Sequence, residues 1–245
     1  MKGFQGKLHK LWLQFILLLV YAAHYPFFLI FSHHPRYYRI LNLARRTCSA
    51  AFMNLSGIFV DIRYEDRLDR KATYVFCPNH TSYLDIPLMC LVANGSFHFM
   101  GKEELLRNPL FRVFFKTIDL PVNRNSKVSG YRALRRASEN LKNEMSLVLF
   151  PEGTISEQPP QMLPFKNGAF RLAIENKVPV VPVSMLNTWE ILYDKGQKNG
   201  SRPGIIRIFV HKPVPTAGLD LCDEEKLKEK VSAIMHAKLF EYASK

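Results

Sequence analysis

His80 and Asp85 stand five residues apart in the stretch PNHTSYLD, residues 78–85. Partners on one helix face stand three or four apart, so this spacing suits a loop running into a helix, with the two side chains meeting across the turn. A histidine near its ordinary pKa can take a proton from a hydroxyl at neutral pH. An aspartate on the other ring nitrogen would fix the tautomer and stabilise the imidazolium as it forms. A plainer reading stands beside this one: Asp85 as a helix cap and His80 as an ordinary loop residue.

Three further stretches put polar groups at the ends of apolar runs. SLVLFPEGTIS (146–156) is strand-like, then proline, then Glu152, Gly153 and Thr154. Gly153 would let the backbone approach a ligand closely, and exposed N–H groups there could contact an oxygen or a phosphate. Glu152 is equally compatible with a surface turn. GKEELLRNPLFRVFFKTIDLPVNR (101–124) offers Lys102 and Arg124. A guanidinium after the strand-like IDLPV could clamp a phosphate through two parallel bonds, although most lone cations are solvated surface groups. PFKNGAFRLAIENKVPVVPVSM supplies Lys166 and Gly168 ahead of a helix and Pro182 within an apolar run that also reads as plain core strand.

The elements that must position these groups follow from periodicity. β-rich runs fall at 57–65, 73–77, 96–100, 146–150, 178–185 and 205–211, with helical stretches at 85–93, 128–144, 167–177 and 223–242. This alternation predicts an α/β fold, a mostly parallel or mixed central sheet flanked by helices. Ligands bind such sheets beyond the carboxyl ends of the strands, where His80 falls; Glu152 joins it if the two strands are parallel. Segments 156–164 and 194–203 read as surface loops. Leu227, Val231, Ile234, Met235 and Leu239 recur at helical spacing, which predicts a last helix docked on the sheet.

A formal net charge of +13 over 245 residues points to an anionic partner: nucleic acid, lipid headgroups or a phosphorylated small molecule. Residues 1–60 hold no Asp or Glu, and basic groups flank LWLQFILLLVYAAHYPFFLIF (11–31). That run is long enough for a membrane helix, with Trp12, Tyr21 and Tyr25 suited to the interface. The expected organisation is a membrane-associated helical segment over 1–60 and a catalytic domain over 61–245. Tyr37–Val60 would pair with the first helix as a hairpin in or on the membrane, Arg45 and Arg46 arguing against a second full span. Cys48, Cys77, Cys90 and Cys222 show no metal-ligand spacing and read as buried small hydrophobes in a reducing compartment. Nucleic acid is disfavoured: there is no zinc-finger spacing, no RNP-type strand and no recognition helix, and basic YRALRRASENLK reads as a solvated face.

In this order, NHTSYLD, GKEEL…NPLF…PVNR, FPEGT and VPVVPVS resemble the four blocks of the lysophosphatidic acid acyltransferase (PlsC-like, 1-acylglycerol-3-phosphate O-acyltransferase) family, over roughly residues 73–185. FKNGA matches a further segment between the third and fourth. The resemblance implies the glycerolipid acyltransferase fold and transfer of a fatty acyl group from acyl-CoA or acyl carrier protein to a lysolipid hydroxyl, with 1-acyl-glycerol-3-phosphate becoming phosphatidic acid. It implies His80 as general base and Asp85 as its orienting partner. Lys102 and Arg124 would hold the acceptor phosphate or the acidic donor carrier, and Glu152 and Gly153 the glycerol portion. Thr154 and Lys166 count among the substrate-binding residues, and the block around Pro182 would shape the pocket. No metal and no cofactor beyond the donor are implied. The expected partners are membrane lipids, and the expected location is the cytoplasmic face of the inner (plasma) membrane.

This chain departs from the family pattern at Ile155, where relatives carry a cation, at Asp119, where they often have glycine, and at Asn123, where they have aspartate. Losing a cation and gaining a carboxylate suggest an alternative acceptor, a hydroxyacyl amino-acid lipid of glycine or ornithine type. A non-catalytic basic membrane-binding protein is a further alternative. The histidine chemistry is untouched by these departures.

Overall fold

A computed structural model describes residues 2–192 and 200–244. Each expected strand forms, and IDLPV contributes a short seventh: β1 (Ile58–Tyr64), β2 (Val75–Pro78), β3 (Phe97–Lys102), β4 (Leu120–Val122), β5 (Ser146–Val148), β6 (Val180–Met185) and β7 (Gly204–Val210). The helices are α1 (Lys2–Ser32), α2 (Tyr38–Leu55), α3 (Asp85–Val92), α4 (Pro109–Phe115), α5 (Lys127–Lys142), α6 (Gly168–Glu175), α7 (Thr188–Ile191) and α8 (Glu224–Ala243).

Among the described residues these strands make one sheet in the order β1-β7-β6-β2-β5-β3-β4. The β6–β7 pair is antiparallel and the other pairs are parallel, so the sheet is mixed. Strands β2 to β6 therefore point their carboxyl ends at one edge. Strands β1 and β7 run the other way, which brings Ile58 and Gly204 to that same edge. The central strand β2 is buried throughout, as its unbroken apolar run requires when both faces are covered. Phe76, Phe97, Val148 and Val183 pack toward α1, α2 and α3. Val75, Leu147 and Val180 pack toward α5, α6 and α8.

The N-terminal segment is joined closely to this sheet. Leu13, Ile16, Val20 and Phe28 form the buried stripe of α1, whereas Leu11, Phe15, Leu18, Phe27 and Ile30 are exposed. The helix is long and apolar enough to cross a membrane by length and composition, yet polar and ring contacts tie it to the domain at both ends. His9 meets Ser201 Oγ at 2.7 Å and the Ser56 carbonyl at 2.9 Å, and Trp12 donates to the Leu55 carbonyl at 3.1 Å. Phe28 meets Phe114 edge-on at 4.9 Å. The expected hairpin forms, with α2 packed on α1. Strand β1 runs across the 60/61 division, so the hairpin leads directly into the sheet.

Arg45 explains how a cation can sit on the inner face of α2. Its guanidinium is buried, makes paired bonds of 3.2 and 2.9 Å to the Asp119 carboxylate, and lies 4.6 Å from the centre of the Phe114 ring. Two sequence-based expectations need correction. Cys222 is exposed, because it lies in the turn before α8, while Cys77 and Cys90 are buried and Cys48 is partly so. Segment 156–164 is not simply a surface excursion: Ser156 is buried and donates its N–H to the His80 carbonyl at 2.8 Å. Most of the loop expected at 194–203 lies outside the described residues.

Candidate active site

Strand β2 delivers the chain to the carboxyl edge, and the Asn79 side chain locks it there. Asn79 Nδ2 donates to the Met185 carbonyl at 3.2 Å, and its Oδ1 accepts the Met185 N–H at 2.7 Å. Asp85 is the first residue of α3, but its carboxylate closes the preceding loop. Oδ2 accepts the N–H groups of Thr81 (2.7 Å) and Ser82 (2.8 Å), and His80 Nδ1–H at 3.0 Å. An ionised carboxylate only accepts hydrogen bonds, so Nδ1 is the donor of this pair, and in the neutral imidazole Nε2 keeps its lone pair. Nε2 has no hydrogen-bond partner among the described residues, and the imidazole stacks on Phe150 at 4.1 Å and 27°. The side chain of Asp85 is fully buried and that of His80 is 12% exposed. The dyad thus has one shielded, tethered side and one open nitrogen.

Two hydroxyls anchor this loop from the far side. Thr81 Oγ1 lies 2.7 Å from Thr188 Oγ1, and Ser82 Oγ donates to the Leu192 carbonyl at 2.7 Å. Reasoning from sequence missed this support. A threonine and a backbone carbonyl more than a hundred residues downstream carry no chemical signature of their own.

Glu152 follows β5 and reaches the same edge, because β5 is parallel to β2. The side chain is buried, which excludes a surface turn. Oε1 accepts the His80 N–H at 2.7 Å and Oε2 accepts the Leu163 N–H at 2.7 Å. Burial pushes the Glu152 pKa up to about 7; the two N–H donors pull it down and Asp85 adds to the rise. Gly153 has φ 76°, and a Cβ there would stand 3.0 Å from Lys166 Nζ, so Lys166 lies directly across it. Thr154 is partly buried beside them.

The other candidates divide by position. Lys102 ends β3 in register with Val122 of β4, and Arg124 follows two residues later; both are exposed on the carboxyl edge. Strands lie about 4.8 Å apart, so three spacings, roughly 14 Å, separate the strand of His80 from that of Arg124. Pro182 is buried inside β6, level with Cys77. Asp119 does not face the edge: its carboxylate is spent on Arg45 and on the Phe99 N–H at 2.9 Å. It therefore carries no message about an acceptor, which corrects the weight placed on it from sequence. Asn123 is a turn residue, accepting the Asn125 N–H at 2.9 Å and donating to Glu103 at 2.7 Å. Ile155 is buried. Burial also pushes the Cys77 thiol up, leaving it a poor nucleophile.

A second line of groups, Ser184 Oγ to His211 Nε2 at 2.9 Å and His211 Nδ1 to Glu65 at 3.5 Å, mimics a hydrolytic triad. Ser184 is wholly buried within β6, so no substrate reaches it.

A family model described as "Acyltransferase" matches residues 59–186. The chloroplastic 1-acyl-sn-glycerol-3-phosphate acyltransferase of Brassica napus is 30% identical over 216 residues, covering 87% of this chain and 61% of that protein. The 1-acyl-sn-glycerol-3-phosphate acyltransferase of Salmonella typhimurium is 26% identical over 189 residues, covering 76% and 75%. The chain spans about three fifths of the length of the Brassica protein. The crystal structure of the 1-acyl-sn-glycerophosphate (LPA) acyltransferase PlsC from Thermotoga maritima superposes with a TM-score of 0.83 at 24% identity, over 100% of this chain and 99% of that one, a likeness of fold.

Proposed function

We propose, since this chain belongs to the acyltransferase family, that it moves a fatty acyl group from an acyl thioester to the free hydroxyl of 1-acyl-glycerol-3-phosphate, giving phosphatidic acid. The observation that carries this reading is the open Nε2 of His80 at the carboxyl edge, with Nδ1 tied to buried Asp85. In the proposed reaction Nε2 takes the proton of the acceptor hydroxyl as its oxygen attacks the thioester carbonyl. The Asp85 carboxylate stabilises the imidazolium that results. Collapse of the tetrahedral species breaks the C–S bond, and the leaving thiolate takes the proton back from His80, restoring the dyad. General-base catalysis contributes typically about 10²–10⁴-fold. Orientation of the two substrates and stabilisation of the oxyanion supply the remainder.

His80 and Asp85 are the catalytic residues of this proposal, and Glu152 is a positioning residue that holds the His80 backbone rather than the substrate. Lys102 and Arg124 are the phosphate-binding cations. Gly153, Thr154 and Lys166 border the acceptor, and Pro182 supports the pocket from within the sheet. Residues 1–60 are the membrane-associated part and 61–245 the catalytic part. The exposed apolar side of α1 supports attachment to a membrane; the proposed side is the cytoplasmic face, where a lysolipid acceptor and a soluble donor, acyl-CoA or acyl carrier protein, meet. The burial of Asp119 favours the phosphate-bearing acceptor over an amino-acid lipid. Lysophosphatidate and a hydroxyacyl glycine lipid, offered side by side and read by mass spectrometry, test this choice. The proposal expects acylation of lysophosphatidate at least tenfold faster; acylation of the glycine lipid alone would overturn it.

A further inference from the structure

We propose that the outer face of α5 is the docking surface for an acidic carrier protein that delivers the acyl thioester. This rests on the acyl-transfer reading above and identifies the partner on its donor side. Helix α5, KVSGYRALRRASENLK, carries five cations and one carboxylate. Its buried stripe is Ala133, Ala137 and Leu141, turned to the sheet. The outward side exposes Val128 at 60% and Tyr131 at 69%, beside Arg132 and Arg135. Arg135 is matched by Glu139 at 3.3 Å. Arg132 and Arg136 have no ion pair among the described residues, and both line a groove of about 290 Å³ between α5 and β4, with Ser126, Ser129, Leu120 and Pro121. Strand β4 ends the sheet, so the groove opens sideways to solvent.

The chemistry of this face fits a protein better than a nucleotide or a membrane. Its cations extend over the whole helix, about 22 Å at 1.5 Å per residue, a longer row than one phosphate cluster requires. Guanidiniums interleaved with an exposed aromatic are the mixture enriched at protein–protein hot spots. Helix α5 packs on the sheet face shared with α6 and α8, whereas the apolar hairpin of α1 and α2 covers the other. Arg136 does act electrostatically on Tyr38 at the start of α2, which makes the membrane the competing occupant. Glu103 is held by Asn123 and Glu104 acts on Arg124 at the β4 end, while Glu175 and Glu224 act on Arg171, which Tyr131 of α5 also faces.

Location supports the same partner. The amino end of α5 follows β4 at the carboxyl edge, and Lys102 and Arg124 lie between it and His80. A carrier seated on α5 sends its flexible thioester arm over the carboxyl edge and along the strand ends, where three strand spacings, roughly 14 Å, separate β4 from the strand of His80. No new bond chemistry is involved: the carrier thiol leaves with the proton that His80 returns. Complementary charge of this kind raises the association rate and makes it salt-sensitive.

The test compares the full-length protein with R132E/R136E, and with R132Q/R136Q as the milder variant, after matching their thermal melts. Acyl transfer is measured with acyl carrier protein and with acyl-CoA as donors, alongside direct carrier binding and sedimentation with anionic vesicles. The proposal expects KM for the carrier donor to rise tenfold or more in the glutamate variant and less in the glutamine variant. Kinetics with acyl-CoA and vesicle binding should stay within twofold. Equal losses with both donors would assign the face to a small-molecule donor, reduced vesicle binding would assign it to the membrane, and unchanged kinetics would leave it without a role; each outcome overturns the proposal. Transfer from acyl-CoA with no carrier binding by the wild type also overturns it while sparing the acyltransferase reading. Failure with every donor and acceptor instead removes that reading.

Discussion

Replacing Glu152 by glutamine keeps the shape of the brace behind His80 and removes its titration. Burial lifts this carboxyl from 4.5 to about 7. At 1.36 kcal/mol per pKa unit that displacement corresponds to about 3 kcal/mol. Its sign is set by linkage: between pH 4.5 and 7 the folded state holds a proton that the unfolded chain has released. The contribution is therefore complete below the unfolded pKa and lost as pH rises through about 7, so this site makes the protein less stable with rising pH. Catalysis runs the other way, because only the carboxylate accepts both the His80 and the Leu163 N–H. Glutamine accepts one and turns an NH₂ toward the other, leaving a buried donor unpaired at a cost of about 1–3 kcal/mol. If that cost falls on the geometry of His80, kcat drops roughly 5- to 150-fold. Urea unfolding of wild type and E152Q at pH 5, 6, 7 and 8 isolates the effect as a difference curve. It should fall by about 2.5 kcal/mol between pH 5 and pH 8, with the wild type losing ground as pH rises. Parallel stability profiles would refute the reasoning, and so would unchanged kcat at pH 8.

The buried pair of Arg45 on α2 and Asp119 just before β4 predicts an asymmetry. Arg45→Ala should cost about 3–5 kcal/mol in urea unfolding by stranding Asp119, whereas replacing both partners by apolar residues of similar volume should cost far less. The exposed side of α1 should carry membrane affinity: Trp12→Ser with Phe15→Ser should weaken sedimentation with vesicles at least tenfold, at roughly 1.5–3 kcal/mol per buried aromatic.

Local pattern disclosed the elements because their periods are local. Alternating apolar runs predicted six of the strands within a few residues, and β4 appeared as a strand-like run ahead of Arg124. The His80–Asp85 link was readable for the same reason: five residues and one turn contain it. Glu152 was placed at the right edge, but its hydrogen bonds run to backbone N–H groups, which no residue type announces. Arg45 and Asp119 stand 74 residues apart, so one argued against a second membrane span and the other suggested an altered acceptor site. Only the fold makes them a single neutral pair. Thr188 and Leu192 stayed invisible because their contribution to the dyad loop is a hydroxyl in α7 and a carbonyl just after it. Four scattered cysteines gave no means of separating exposed Cys222 from buried Cys77.

The central claim is that His80 draws the proton from the acceptor, and acceptor-dependent thiol release tests it most directly. Wild type and His80→Ala are given an acyl thioester with and without lysophosphatidate, and free thiol is followed over time. The account predicts release by the wild type only when the acceptor is present, and a rate about 10²–10⁴-fold lower in the variant. Release at the same rate by both proteins would contradict it.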